Sequence, residues 1–173
     1  MEAAIFGFVG VLIGTIATAA LTIYKERVTG RREVEQRREQ DERERRTTRD
    51  VFQRDSILSL QTAATALIEA AYDELDRQIA LSIESGSWPV RQWETPTAKG
   101  WSAALLQLEA NRARVFDDEL RSLADQLRRT AGESIWADSL ETAKQHSRAL
   151  EPLNTGFNNA ISRALPSLYS AAG

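Results

Sequence analysis

The chain has 173 residues, of which 42% are hydrophobic and 27% charged, and a net charge of −3 at pH 7. That is enough for one ordinary domain, or a smaller domain with appendages. It lies too near neutrality for a protein that lives on nucleic-acid phosphates, and the absence of cysteine excludes a disulfide framework and thiolate metal sites. Of the 22 basic residues only Lys25, Lys99 and Lys144 are lysines, a bias that suits a high-GC bacterial genome.

Residues 3–24 carry no charged side chain. As a helix the run would extend roughly 33 Å, against a hydrocarbon core of about 30 Å. The expectation is a transmembrane helix over 1–24. A cleaved signal peptide is the alternative, with Ala17-Thr18-Ala19 as its small-residue site. Such leaders begin with basic residues, whereas here only Glu2 precedes the run and the apolar pattern continues through Leu21, Ile23 and Tyr24. Lys25, Arg27, Arg31 and Arg32 follow the segment closely. Positive residues stay on the cytoplasmic side, which places the amino terminus outside, the rest of the chain in the cytoplasm, and these four cations near anionic lipid headgroups. Ala3, Gly7, Gly10, Gly14 and Ala17 repeat at four-three spacing, and Gly10, Gly14 and Thr18 form a second row. Small residues let helices approach closely in lipid, so this face is expected to pair the chain into a homo-oligomer.

Residues 25–51 read as a charged helical stalk. Val28 and Val34 are the sizeable aliphatic residues between Lys25 and Asp50, so the apolar seam of a coiled coil is missing. Acids instead precede arginines by one turn: Glu33 with Arg37, Glu39 with Arg43, Asp41 with Arg45 and Glu42 with Arg46. Each such pair contributes about 0.2–0.5 kcal/mol to an isolated helix. Gly30 is the weak point of this stretch. The interleaved acids would repel phosphates, which argues against nucleic acid as a partner.

Helical periodicity of apolar residues starts at Val51 and Phe52 and predicts a bundle over 52–173. Its first helix carries Ile57, Leu60, Ala64, Leu67, Ala71, Leu75 and Ile79 inward and ends near Ser85-Gly86. A loop with Gly86, Pro89, Pro96 and Gly100 follows. A second helix is expected from Trp101 to Ala131, with Leu105, Leu108, Phe116, Leu120, Leu123 and Leu127 inward and a turn at 130–133. A third carries Trp136, Leu140, Ala143, Leu150, Phe157, Ile161 and Leu165, kinked or restarted at Pro152 and ended soon after Pro166. The predicted fold is all-α: an N-terminal transmembrane helix, a charged helical stalk and an antiparallel three-helix bundle. Its carboxyl terminus is expected at the end away from the stalk.

Chemistry-bearing constellations are sparse. His146 is the lone histidine, and Glu141 lies five residues before it, not the three of a di-iron bundle. Glu69, Asp73 and Asp76 share a helical face that can hold a hard cation, though a solvated outer face explains them better. Asn154, Asn158 and Asn159 around Gly156 read as an imperfect helical stretch. Phosphate loops, nucleophile elbows and zinc signatures are absent from the sequence. Trp88, Trp93 and Trp101 fall close together. They either cap the bundle over Ile79 and Leu105 or form a partner-binding tip, since Trp is enriched among interface hot spots.

The sequence "GFVGVLIGTIATAAL" followed by "KERVTGRREVEQRREQ" resembles uncharacterised single-pass membrane proteins common in actinobacteria. The likeness covers mainly the first fifty residues and implies no activity. The same layout is similar to the membrane-anchored stalk subunit of rotary ATP synthases, whose helix is not broken as this one is at Trp88 to Gly100. It is also similar to phage inner-membrane spanins, whose helical part lies outside the membrane. The expectation is a non-enzymatic scaffold in the cytoplasmic membrane, oligomeric, without a cofactor or metal, that presents its bundle to a cytoplasmic protein partner. The alternatives are a lysis or envelope-bridging protein with the bundle outside, and a metal- or ligand-binding bundle.

Overall fold

The computed structural model describes the backbone of residues 2–88 and 94–170 and the side chains of residues 37–88 and 94–169. Four helices make up these residues, with no strand among them: α1 Glu2–Ser85, α2 Pro96–Arg112, α3 Asp118–Ile135 and α4 Leu140–Ser170. The chain divides into two compact units, residues 1–46 and residues 47–173.

In the first unit the described side chains, from Arg37 onward, are all exposed. Glu42 and Arg46 approach to 3.7 Å with side chains 69% and 77% exposed, and the Gln40 amide donates to Glu44. Such solvated contacts are weak, as an unsupported charged helix face requires. The expected transmembrane helix, with Gly7, Gly10, Gly14, Ala17 and Thr18, lies outside the residues whose side chains are described. So do Lys25, Arg27, Arg31 and Arg32. Among the described residues no helix is long and apolar enough to cross a membrane.

The second unit is an up-down-up-down bundle of four helices, not three. Inter-helix contacts set the direction of each. Along α1, Gln53 bonds to Arg114 and Phe116, whereas Glu74 bonds to Thr97, so α2 runs antiparallel to α1. Gln61 meets Asn158 and Tyr72 meets Ser147, so α4 also opposes α1. Arg163 bonds to Glu119, and His146 lies by Glu133, so α3 opposes α4. The core is continuous across all four helices: Leu60, Leu67, Leu108, Leu120, Leu127, Leu150 and Phe157 are fully buried within it.

The single helix expected over 101–131 is two helices, because the chain turns at 113–117. Three interactions impose the break. Val115 is drawn fully into the core. Asp117, in extended backbone conformation, accepts from the Leu120 amide and caps α3, a capping bond worth about 1 kcal/mol. Gln53 of α1 holds both sides of the turn: its Nε2 donates to the Arg114 carbonyl at 3.1 Å and its Oε1 accepts from the Phe116 amide at 2.8 Å. Phe116, expected inward, is instead 54% exposed. Its ring lies 6.2 Å from that of Phe52, with the Arg49 guanidinium 5.4 Å away and Arg114 similarly placed over Phe52.

Further corrections follow from this topology. No turn occurs at 130–133: α3 continues to Ile135, and the chain turns at 136–139, where Ser139 Oγ accepts from the Thr142 amide to start α4. α4 runs through Pro152 without a restart and reaches Ser170, four residues beyond Pro166. Both prolines are exposed, as are Arg148 and Ser162, whose carbonyls lose a helical donor. Carbonyls on an exposed face can bond to solvent, while the buried row Leu150, Phe157, Ala160 and Ile161 holds the helix together through packing. The carboxyl end of α4 returns to the end of the bundle where α1 enters it, since the Arg54 guanidinium lies over the Tyr169 ring at 6.0 Å. The α1 terminus matches expectation, with Gly86 in the left-handed region at φ +64° and its amide closing onto the Ser82 carbonyl, the usual glycine stop.

Candidate functional site

At the opposite end of the bundle, where α2 begins and α3 ends, the core opens into a cavity of about 520 Å³. Three helices build it. From α1 come Glu74 and Gln78, one turn apart. From α2 come Ala98, Trp101, Ser102 and Leu105. From α3 come Arg128, Arg129, Gly132, Glu133 and Ile135, with Trp136 just beyond its end.

The α1 contribution is a buried polar cluster. Glu74 is 3% exposed and Gln78 1%. Glu74 Oε1 accepts from Arg77 and, at 3.0 Å, from Gln78 Nε2. Its Oε2 accepts from Arg77 Nε at 2.9 Å and from the Thr97 hydroxyl at 2.6 Å. Burial alone would push the Glu74 carboxyl up, but the hydrogen bonds from Arg77, Thr97 and Gln78 and the Arg77 charge outweigh it and hold it below its ordinary value. Glu74 in turn raises the Arg77 guanidinium. A carboxylate with four donors and a depressed pKa stays ionised and makes a poor proton acceptor. Thr97 sits in place because Thr95 caps α2, accepting from the Ala98 amide at 3.2 Å, with Pro96 in the first turn.

The α3 wall carries charge that is already paired. Arg128 contacts Glu109 at 3.1 Å and Asp125 at 2.9 Å, and Arg129 contacts Asp125 at 2.5 Å. Burial pushes the Asp125 carboxyl up, but Arg128, Arg129 and Arg112 more than compensate and hold it low. Glu133 lies 3.3 Å from His146 Nδ1.

The residues singled out in the sequence are distributed as follows. Trp101 is 6% exposed and walls the cavity, so this ring belongs to the core and not to a projecting tip. Trp88 is half-buried against Leu75, Ala137 and Ala143, and its Nε1 donates to the Ala137 carbonyl at 3.1 Å. Trp93 lies outside the described residues. Glu69, Asp73 and Asp76 are exposed. Among the described residues no group of three or more His, Asp or Glu is arranged to hold a metal ion. The Asn154–Asn159 stretch is regular helix, in which Asn158 bonds back to Asn154 and receives the Gln61 amide at 2.7 Å.

Glu74, Gln78 and Gln53 were missed in the sequence although a signal was present. The inward row 57, 60, 64, 67, 71 continues at four-three spacing to 74 and 78, and backwards to 53. Polar residues at core positions of a helix are candidates for a specific buried contact. Comparison with protein-family models, with characterised proteins and with solved structures finds no match.

Proposed function

We propose that the chain is a membrane-anchored, non-enzymatic helical protein that presents its bundle to a protein partner in the cytoplasm. The observation that carries this reading is the change at Tyr24, where an uncharged run of membrane-spanning length gives way to a segment led by Lys25, Arg27, Arg31 and Arg32. The exposed, charge-laced side chains of residues 37–49 support a spacer role for the stalk. The glycine and alanine rows of the leading segment support an oligomer, and Lys25, Arg27, Arg31 and Arg32 support contact with anionic headgroups. Glu74, the buried carboxylate of the cavity, is saturated with donors and is a poor general base.

Membrane fractionation with a carboxyl-terminal topology reporter tests the proposal. The expected result is a chain that resists carbonate extraction, reports a cytoplasmic terminus, and brings down a partner after solubilisation. Extraction by carbonate alone would overturn the anchor. A terminus digested by protease outside whole cells would replace the reading with an envelope-bridging one.

A further inference from the structure

The turn between α2 and α3 leaves an aromatic pair in the open. Phe52 of α1 and Phe116 of the turn stand 6.2 Å apart, both rings are exposed, and so is Val51 next to them. Each ring has a guanidinium over it: Arg49 lies 5.4 Å from Phe116 and Arg114 5.4 Å from Phe52. Most described arginines of the bundle pair with a carboxylate, as Arg54 does with Asp55, Arg112 with Glu109 and Arg163 with Glu119. Arg49 and Arg114 have no ionic partner among the described residues. A guanidinium on a ring face keeps its in-plane N–H groups for an acceptor. The bond from the Phe116 amide to Gln53 holds the turn in place, so little order must be gained on binding.

These groups define what they would hold. Two unpaired cations favour carboxylates, and the two rings favour an apolar side chain beside them. Asp118 and Glu119, exposed just past Phe116, would repel a broad anionic surface such as a bilayer or a nucleic acid, whereas a short segment can lie clear of them. The chain has an acidic aromatic surface of its own, Tyr72 with Glu69, Asp73 and Asp76, all exposed. It lies about 30 Å from Phe52 along α1, so copies anchored side by side in one membrane would hold the two surfaces at different levels.

We propose that Arg49, Phe52, Arg114 and Phe116 dock an acidic peptide segment of the protein partner, one aromatic side chain with carboxylates on either side. The proposal deepens the reading of a bundle that serves a protein partner, and rests on it.

The experiment titrates the full-length chain, in non-ionic detergent, into rhodamine-labelled Ser-Glu-Asp-Phe-Glu-Asp-Ser and reads fluorescence anisotropy. One control peptide replaces every acid by its amide; the other replaces the phenylalanine by alanine. The parent peptide is expected to bind, and each control to bind about tenfold more weakly. Arg49→Gln and Arg114→Gln, both at exposed positions, should each weaken the parent peptide about tenfold. Arg148→Gln, at an exposed position on α4, removes the same charge elsewhere and should leave the affinity unchanged. Absence of binding at millimolar parent peptide, equal binding of either control, or an equal loss in Arg148→Gln would each overturn the proposal. Self-association of the chain in sedimentation, abolished by Arg114→Gln, would also overturn it and give the surface to a second copy. Detergent solution makes the titration independent of the anchor, so failure to bind peptide and failure to stay in a membrane are separate results.

Discussion

The turn between α2 and α3 depends on one side chain, and replacing it gives a sharp test of the four-helix arrangement. Gln53 is 6% exposed and donates to the Arg114 carbonyl while accepting from the Phe116 amide. Gln53→Ala removes both bonds. Each is worth about 0.5–1.5 kcal/mol net, so the expected loss is about 1–3 kcal/mol. For a chain of this size that corresponds to a fall in Tm of roughly 3–9 °C. Gln53→Glu separates the two bonds. Its carboxylate still accepts from Phe116 but faces the Arg114 carbonyl with no donor, so its penalty at pH 7 should shrink as acid protonates the group and restores an O–H. Urea unfolding of the full-length chain in mild detergent, followed by circular dichroism, measures the stability, and hydrogen exchange of the Phe116 amide reports the turn itself. A loss below about 0.5 kcal/mol with the Phe116 amide still protected would refute the reasoning, because two hydrogen bonds from a buried side chain should together be worth more than that.

Four other outcomes are expected. Glu74→Gln strands the half-buried Arg77 guanidinium and should cost about 3–5 kcal/mol at pH 7 in the same unfolding assay. Because the folded Glu74 carboxyl lies below its ordinary value of 4.5, the stability it supplies is complete above that value and disappears as pH falls through the lower folded one; the gap between wild type and Glu74→Gln should narrow in acid accordingly. Phe157→Ala opens the centre of a fully packed core and should cost about 3–5 kcal/mol, measured by denaturant midpoint. Asp117→Ala deletes the cap of α3 and should cost about 1 kcal/mol, whereas Asp117→Asn retains most of it. Pro152→Ala, at an exposed interior position of α4, should raise Tm, since alanine restores a helical donor and removes the proline clash.

Much of the bundle was legible in the order of residues, and the misses have specific causes. The inward row Ile57, Leu60, Ala64, Leu67, Ala71 and Leu75 is buried as its spacing requires, because one apolar stripe on a helix has one way to leave water. The α2–α3 break leaves the apolar spacing intact, because Phe116, eight residues after Leu108 and four before Leu120, bridges the two rows although its ring is exposed. The acids Asp117, Asp118 and Glu119 were its only local mark, as a capping residue and a first turn that favours negative charge. Pro152 misled in the opposite direction: on an exposed face the freed carbonyl can bond to solvent, and the packing of the buried row carries the helix through the proline.

The cavity divides the two kinds of information most clearly. Polar residues at positions 53, 74 and 78 of an otherwise apolar row are a property of the sequence, and they announce that something buried must be satisfied. Arg77 and Gln78 meet Glu74 within one helix turn, whereas the partners supplied from other elements were decided by tertiary structure alone. Gln53 met the backbone of a turn 61 residues away, and Glu74 met Thr97 across the α1–α2 interface. Helical periodicity is a local property that a chain carries wherever it goes. The partner of a buried polar atom is set by which helices pack together and in which direction, and that follows from the one arrangement in which every apolar face is covered at once.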